Sequence, residues 1–600
     1  MAQGLAQGIG LGAAAPRRLW IFDSRRDLLL IVATPLLILP LVMASRRQLS
    51  VQEISLYVAA FGSLGHHLPG LLRAYGDREL FARFRTRFLV TPVVLVGVCL
   101  YFGLRDLHGL RVIAILWGLW HGLAQVYGFS RIYDAKVGRS SRAAALLDRA
   151  LCVAWFGGGL LFSSGRMLDL LERFYESGGP LVSAAALHAA QLAWGAGLLL
   201  VTAAFLAHLA WQVRRGEAPS PVKLGLFTSS FAFWWICMLA IDEVILGVAL
   251  FEIFHDVQYL AIVWTYNRKR VEQGGDLAAF TRFLFRRSGA LVGIYVGLVF
   301  AYGSLALFSE AAQPAVLQRS LLALVAASGF LHFYYDAFIW SVRDRATRRG
   351  LGLATAEAAP AGRWRAPDWL GHGARWALFA LPVALLAAAE AGAPRAAPFE
   401  RYREATLAFP ESEVAHFHLA VQLAARDDLA AAIAEFQRAI ELRPGYAPAH
   451  ARLAAAWRRR ADLGRALDSY QEAVRLDPRD ARTLASLGAL HLERGELAPA
   501  RRQLERALEL EPDLAQAWAN LGAAHQAEGD RAGAEARYRR AIAEGPRLDG
   551  PRFNLALLYE EEGRLAEAAA ELEQLLRLRP DHAAAREELA RLRTRLAAGS

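Results

Sequence analysis

The sequence predicts an all-α chain in two parts: a polytopic transmembrane helix bundle of about eleven spans, then a solenoid of helix pairs. Three observations predict it. Of 600 residues, 55% are hydrophobic, too many for an ordinary water-soluble protein of this length. The excess lies before Gly392, in recurring runs of about 18–25 apolar residues, the length that crosses a bilayer as a helix. Beyond Phe409 the chain turns to Ala, Leu, Arg and Glu with helical periodicity, and a proline returns at a fixed interval.

The spans are read at 27–45, 51–74, 88–104, 110–129, 144–164, 184–211, 222–241, 243–266, 288–308, 316–341 and 375–393. Residues 1–26 form an amino-terminal segment, 27–393 the multispan domain, 394–412 a linker, 413–582 five helix-pair units, and 583–600 a capping helix and carboxyl terminus. The first fifteen residues carry no positive charge and no long apolar run, so they do not read as a cleavable signal peptide. Cys99, Cys152 and Cys237 all fall in apolar runs, which excludes a disulfide framework or a cysteine zinc knuckle.

The net charge of +11 sits mostly in short loops beside apolar runs, a pattern of bilayer orientation and not of nucleic-acid binding. Arg17 to Arg26 precede the first span. Basic loops follow every even-numbered span: Arg73 to Arg87, Arg131 to Arg142, Arg214 to Lys223, Arg268 to Arg287, and Arg343 to Arg349. Odd-numbered spans are followed by weaker or acidic segments such as Asp169–Glu176, Asp242–Glu243 and Glu310. The expectation is an inner-membrane protein with a cytoplasmic amino terminus and, after eleven crossings, an extracytoplasmic (periplasmic) solenoid.

Pro410, Pro444, Pro478, Pro512, Pro546 and Pro580 are spaced by thirty-four residues. Ala432, Ala466, Ala500, Ala534 and Ala568 recur in the same frame, where the two helices of a unit must approach closely. Phe436, Tyr470, Leu504, Tyr538 and Leu572 follow four residues later, and Trp518, Leu521 and Gly522 complete the fullest unit. This resembles the tetratricopeptide repeat (TPR) throughout 413–582. The resemblance implies a protein- or peptide-binding scaffold with a concave groove lined by each first helix. In that frame Arg452, Arg459, Arg482, Asn520 and Asn554 face the groove and suit an extended peptide or a carboxylate. The bland alternative is a solvated face on an arginine-rich array.

Four even-numbered spans carry polar clusters that lipid-facing helices tolerate only at a cost of several kcal/mol per unpaired group. They are His66-His67-Leu68-Pro69-Gly70, Trp120-His121 with Gln125, Glu252 with His255-Asp256 and Gln258, and His332 with Asp336. All four spans run the same way, and their histidines lie about 12–16 Å from the basic end at 1.5 Å per residue. His332 and Asp336, and His121 and Gln125, are four apart, and Glu252 and His255 three apart, so each pair shares a helix face. Each histidine alone is more readily explained by a hydrogen bond to a neighbouring helix; four clusters at one depth point to a shared site. His66, His67, His121, His255 and His332 are the candidate metal ligands, with Glu252 and Asp336 as carboxylate ligands. Gln125, Asp256 and Gln258 are candidates for holding those ligands in place. Imidazole with carboxylate suits iron, zinc, copper or manganese; several histidines with open positions suit iron first, and haem is the other cofactor considered. His188 and His208 read as packing residues, Gly157 to Gly159 as a close helix contact, and Tyr127, Tyr133, Tyr259, Tyr266, Tyr334 and Tyr335 as an interfacial belt.

On these histidines the membrane part is similar to integral-membrane, histidine-rich metal oxygenases: lipid desaturases and hydroxylases, and carotene-cleaving membrane oxygenases. It lacks the His-x-x-x-His and His-x-x-His-His boxes of the desaturases, and its dispersal over four helices is closer to the carotene-cleaving type. The resemblance implies an oxidoreductase acting on a lipid-like molecule from the bilayer. A multispan domain followed by TPRs also resembles membrane glycosyltransferases that use lipid-linked sugars. Those need an acidic motif in the first extracytoplasmic loop, whereas Arg46 to Ser50 is short and basic. The non-enzymatic alternative is a membrane-anchored scaffold or a transporter; broken helices would favour transport, and Pro69 marks one candidate break without a matched partner.

Overall fold

The computed structural model describes residues 19–46, 48–139, 141–241, 244–286, 289–340, 347–348, 351, 353, 368–392 and 396–598. Arg17, Arg18, Asp242, Glu243, Arg287, Arg343, Arg345 and Arg349, used above for topology, lie outside them. The described elements are all helical, and the chain divides into two compact units, Met1–Ala396 and Ala397–Ser600.

In the first unit nine helices among the described residues are long and apolar enough to cross a bilayer: Arg85–Leu104, Gly109–Lys136, Arg142–Leu161, Ala184–Arg214, Pro221–Ala240, Leu246–Glu272, Leu291–Ser309, Ala315–Ile339 and His372–Gly392. The pair Ser24–Val32 and Thr34–Ser45, bent by 52°, makes ten if taken as one. The remaining expected span, the second at 51–74, is not a single helix. It runs as Val51–Tyr57, widens to a π-helical stretch Val58–Leu64, and restarts at His67–Gly76. Ser50 and Glu53 close its first turn as a reciprocal capping box. The break lies at Gly65-His66, ahead of Pro69. That proline occupies the first turn of the new helix, where a missing N–H leaves no bond unmade.

Several cations assigned to loops by sequence are buried and paired. Lys223 Nζ lies 2.8 Å from Asp134 Oδ2 and 2.7 Å from Asp148 Oδ2, and Arg131 Nη1 lies 2.8 Å and 3.0 Å from the same two oxygens. The two cations and two carboxylates form a neutral, buried quartet. Arg270 pairs with Asp77 at 3.1 Å, and the Arg73 guanidinium is sandwiched between the Tyr266 and Trp340 rings, 4.0 Å and 3.8 Å from their centroids. Lys223, Arg131 and Arg270 are thus paired with carboxylates inside the unit, while Arg73 is held by the two rings and donates to the Ile339 carbonyl. Glu390 accepts from the backbone N–H groups of His108 and Gly109 and caps the helix Gly109–Lys136, tying the last apolar helix to it.

In the second unit, paired helices run Glu413–Ala425 with Leu429–Leu442, Ala447–Arg459 with Leu463–Leu476, Ala481–Glu493 with Leu497–Leu510, Ala515–Ala527 with Arg531–Glu544, and Asp549–Glu561 with Leu565–Leu578, followed by Ala583–Ala598. A further helix, Pro398–Ala408, occupies most of the segment read as a linker and packs on the first pair. The recurring alanines are fully buried. A Cβ on Gly522 would stand 2.7 Å from the Tyr538 ring, and one on Gly488 2.7 Å from Leu504, so the close approach requires glycine. The prolines have a second use. The carbonyls of Pro410, Pro444, Pro512 and Pro580 each accept a side-chain hydrogen bond from the residue six places on: His416, His450, Trp518 and Arg586.

Candidate metal centre

The centre is built from four separate helical segments. The helix break at Gly65-His66 turns His66 inward, and His121, His255 and His332 project from Gly109–Lys136, Val244–Glu272 and Ala315–Ile339. All four imidazoles are buried, and one ring nitrogen of each lies within 4.8 Å of the others. Nε2 of His66 is 3.0 Å from Nε2 of His332, which is 3.1 Å from Nε2 of His121, which is 3.1 Å from Nε2 of His255.

Hydrogen bonding alone satisfies only part of this chain. Each neutral imidazole Nε2 offers one proton or one lone pair, so four such atoms joined by three contacts form two hydrogen bonds at most. A cation receiving all four lone pairs satisfies every one. The spacing also carries geometric information. Metal–imidazole bonds of about 2.1 Å put ligands at right angles about 3.0 Å apart and tetrahedral ligands about 3.4 Å apart. The three neighbouring pairs, at 3.0, 3.1 and 3.1 Å, are closer to the right-angled spacing than to the tetrahedral one.

The surroundings orient the rings. His66 Nδ1 lies 2.7 Å from Asp256 Oδ1, the carboxylate–histidine pairing that orients metal-binding imidazoles. Asp336 Oδ2 stands 3.7 Å from His332 Nε2 and 3.9 Å from His121 Nε2, while its Oδ1 accepts a 2.9 Å hydrogen bond from the Tyr259 hydroxyl. Gly70 makes room: a Cβ there would come within 2.8 Å of the Tyr259 hydroxyl and 3.4 Å of His332 Nδ1.

The structure separates the other candidates from this group. His67 stacks on His332 with centroids 4.7 Å apart, but its Nδ1 pairs with the Ser328 hydroxyl at 2.9 Å, and Ser328 in turn meets Tyr302 at 2.8 Å. It follows His66 directly, so the helix restart sends its ring along a different direction. Glu252 is half-buried on the His255 helix and is not in the four-nitrogen group. Gln125 and Gln258 act on the backbone and on each other: Gln125 donates to the His255 carbonyl and to Gln258 Oε1, both at 3.1 Å, and Gln258 donates to the Ile31 carbonyl at 2.7 Å. They brace the His255 helix and do not hold an imidazole. His188 and His208 lie on Ala184–Arg214, outside the group. Tyr259, Ser328 and Gly70 acquire roles that the sequence did not single out. Tyr259 is four residues after His255 and Ser328 four before His332, so a helical face count from each histidine finds both.

In the second unit Arg452, Arg459 and Arg482 are exposed, and Asn520 and Asn554 half-buried. Arg459 is occupied: it donates to Asp427 and to the Ala424 carbonyl, both at 2.7 Å, and so ties two neighbouring repeats together. Arg482 stands 4.0 Å from Glu511, Asn520 accepts from Gln516 at 3.2 Å, and Asn554 hydrogen-bonds Tyr538.

No curated protein matches this chain. Among solved structures it is similar to YrrB, a TPR protein with an unusual peptide-binding site, at 20% identity over 32% of this chain and 98% of that one, TM-score 0.27. It is similar to a thermophilic TPR protein of Thermus thermophilus at 28% identity over 30% and 98%, TM-score 0.28, and to MamA at 21% over 29% and 95%, TM-score 0.26. The family model for the tetratricopeptide repeat matches residues 551–582. Residues 551–582 of the second unit thus match the tetratricopeptide repeat, and the helix pairs before them begin at the same thirty-four-residue interval.

Proposed function

We propose that the first unit lies in a bilayer as a metalloenzyme, holding a redox-active divalent metal, iron first, on His66, His121, His255 and His332. It oxidises an apolar, lipid-like molecule with dioxygen as the oxidant, while the TPR domain recruits a protein partner. The observation that carries this reading is the convergence of four Nε2 atoms at right-angled spacing. Four neutral nitrogen ligands with open positions suit iron and dioxygen better than a closed tetrahedral zinc site. Asp256 holds the His66 ring, and Asp336 with Tyr259 presents a carboxylate and a hydroxyl beside the nitrogens, where they accept and return a proton. Membrane placement is supported by the helix Ala184–Arg214, whose Leu192, Leu199 and Leu200 are 77%, 70% and 71% exposed. Such a face is stable against lipid tails and costly against water. The orientation with the TPR domain outside the cytoplasm belongs to this proposal.

Elemental analysis of the detergent-purified chain tests it, beside a variant with His121→Ala and His332→Ala. The expected result is stoichiometric iron in the wild type, lost in the variant, with dioxygen consumption that follows the metal. A stable, metal-free wild type removes the enzyme reading and leaves a TPR scaffold. Protease added outside intact spheroplasts is expected to cut the TPR array; protection there reverses the orientation.

A further inference from the structure

Away from the histidines, a cavity of about 220 Å³ opens where the end of the helix Val244–Glu272 meets the segment before the first apolar helix. Arg26, Arg268, Lys269, Thr265, Trp264 and Phe22 line it. Among the described residues Glu272 is the one acidic residue of the lining, and it pairs with Arg268 at 3.3 Å. Three cations therefore face the concavity, two of them engaged at its edge: Arg268 with Glu272, and Arg26 with Asp23 at 3.3 Å.

The wall carrying Arg26 is fixed by local structure. Asp27 is buried and accepts the backbone N–H groups of Ile21 at 2.7 Å and Phe22 at 2.9 Å, together with the Tyr133 hydroxyl at 2.9 Å. This folds residues 21–27 back and pins them to the helix Gly109–Lys136, which holds Phe22 and Arg26 over Arg268 and Lys269. Positive side chains that only marked the end of a span would spread into water. Here they converge on a concavity with an aromatic wall.

We propose that this cavity binds a phosphate-bearing anion, the headgroup of an anionic phospholipid. The cations meet the phosphate charge, the Thr265 hydroxyl adds a neutral hydrogen-bond donor, and Trp264 and Phe22 receive the first apolar atoms beyond it. The lipid source rests on the membrane placement proposed above and not on the metal centre.

The test is native mass spectrometry of the full chain in neutral detergent with added dioleoyl-phosphatidylglycerol or dioleoyl-phosphatidylcholine. Preferential retention of phosphatidylglycerol is expected, with affinity falling on the order of ten-fold in Arg268→Gln/Lys269→Gln. It is kept in the charge-conserving Arg268→Lys/Lys269→Arg and in Arg214→Gln/Arg215→Gln, which removes two cations elsewhere. Equal retention of both lipids, or equal loss in both glutamine variants, overturns the site. Displacement of the lipid by millimolar inorganic phosphate supports the cavity and assigns it to a free anion. Flotation of the wild type with phosphatidylcholine vesicles scores membrane placement separately, and iron content scores the metal centre. Failure of either is thus distinguishable from failure of the headgroup site.

Discussion

His66 Nε2 and His332 Nε2 lie 3.0 Å apart across 266 residues of sequence. The two residues belong to different helices, so the contact exists only because separate helices deliver both rings to one point. Its consequences separate ligands from neighbours.

His67 and His332 stack, yet they are expected to behave differently. His332→Ala removes a nitrogen from the four-membered group and should abolish retained metal. His67→Ala removes the Ser328 hydrogen bond and the stacking on His332 but no nitrogen of the group, and should leave the metal-to-protein ratio unchanged. Elemental analysis of the two purified variants checks this, and equal loss in both would place His67 among the ligands.

Asp256→Asn keeps the shape beside His66 Nδ1 and removes the carboxylate charge. Loss of such a partner weakens metal affinity by roughly 10–100-fold. Competition against a chelator of known affinity is the measurement; an unchanged affinity would mean that the 2.7 Å contact does not tune His66.

Lys223→Met should be severely destabilising, because Asp134 and Asp148 then share Arg131 alone. Breaking one side of a buried ion pair costs about 3–5 kcal/mol. Adding Asp148→Asn removes one charge of each sign and should recover much of the loss. Thermal unfolding in detergent of the single and double variants reads both effects.

Gly522→Val should destabilise the TPR unit by about 1–3 kcal/mol through overpacking against Tyr538. Urea unfolding of residues 397–600 measures it. The same substitution at Gly464, whose added Cβ would meet nothing nearer than 3.8 Å, is expected to act only through helix propensity.

Acid should weaken the TPR unit through particular carboxylates. The Gly533 N–H and then His525 hold the Asp530 carboxyl below its usual value, and Arg494 and then His491 do the same for Glu496. A depressed folded value means stabilisation that is complete above the ordinary carboxylate range, at about pH 4, and lost as pH falls through the lower folded value. The melting temperature of residues 397–600 should therefore drop below about pH 4, with a shallower acid slope in Asp530→Asn/Glu496→Gln. An unchanged slope in that variant would falsify the assignment.

The thirty-four-residue proline period and the buried alanines made the helix pairs legible, because a solenoid repeats one local packing problem and writes the same answer each time. Five of the candidate ligands were legible as a layer for a related reason: depth along parallel helices follows from residue count alone. Rotation about those helices does not. That is why His67 and Glu252 read as ligands, and Gln125 and Gln258 as residues holding them, although His67 meets Ser328 and the two glutamines meet each other and the backbone.

The sequence by itself determined an all-helical chain, the solenoid repeat, and a band of polar side chains that apolar helices must shelter. Tertiary structure decided that 51–74 is a broken helix and that Arg131 and Lys223 are buried with Asp134 and Asp148. It also decided which four of the five histidines point their Nε2 atoms at one another. Periodicity is a property of a single helix, whereas convergence depends on how each helix is rotated and offset against its neighbours, and that is set by packing across distant parts of the chain.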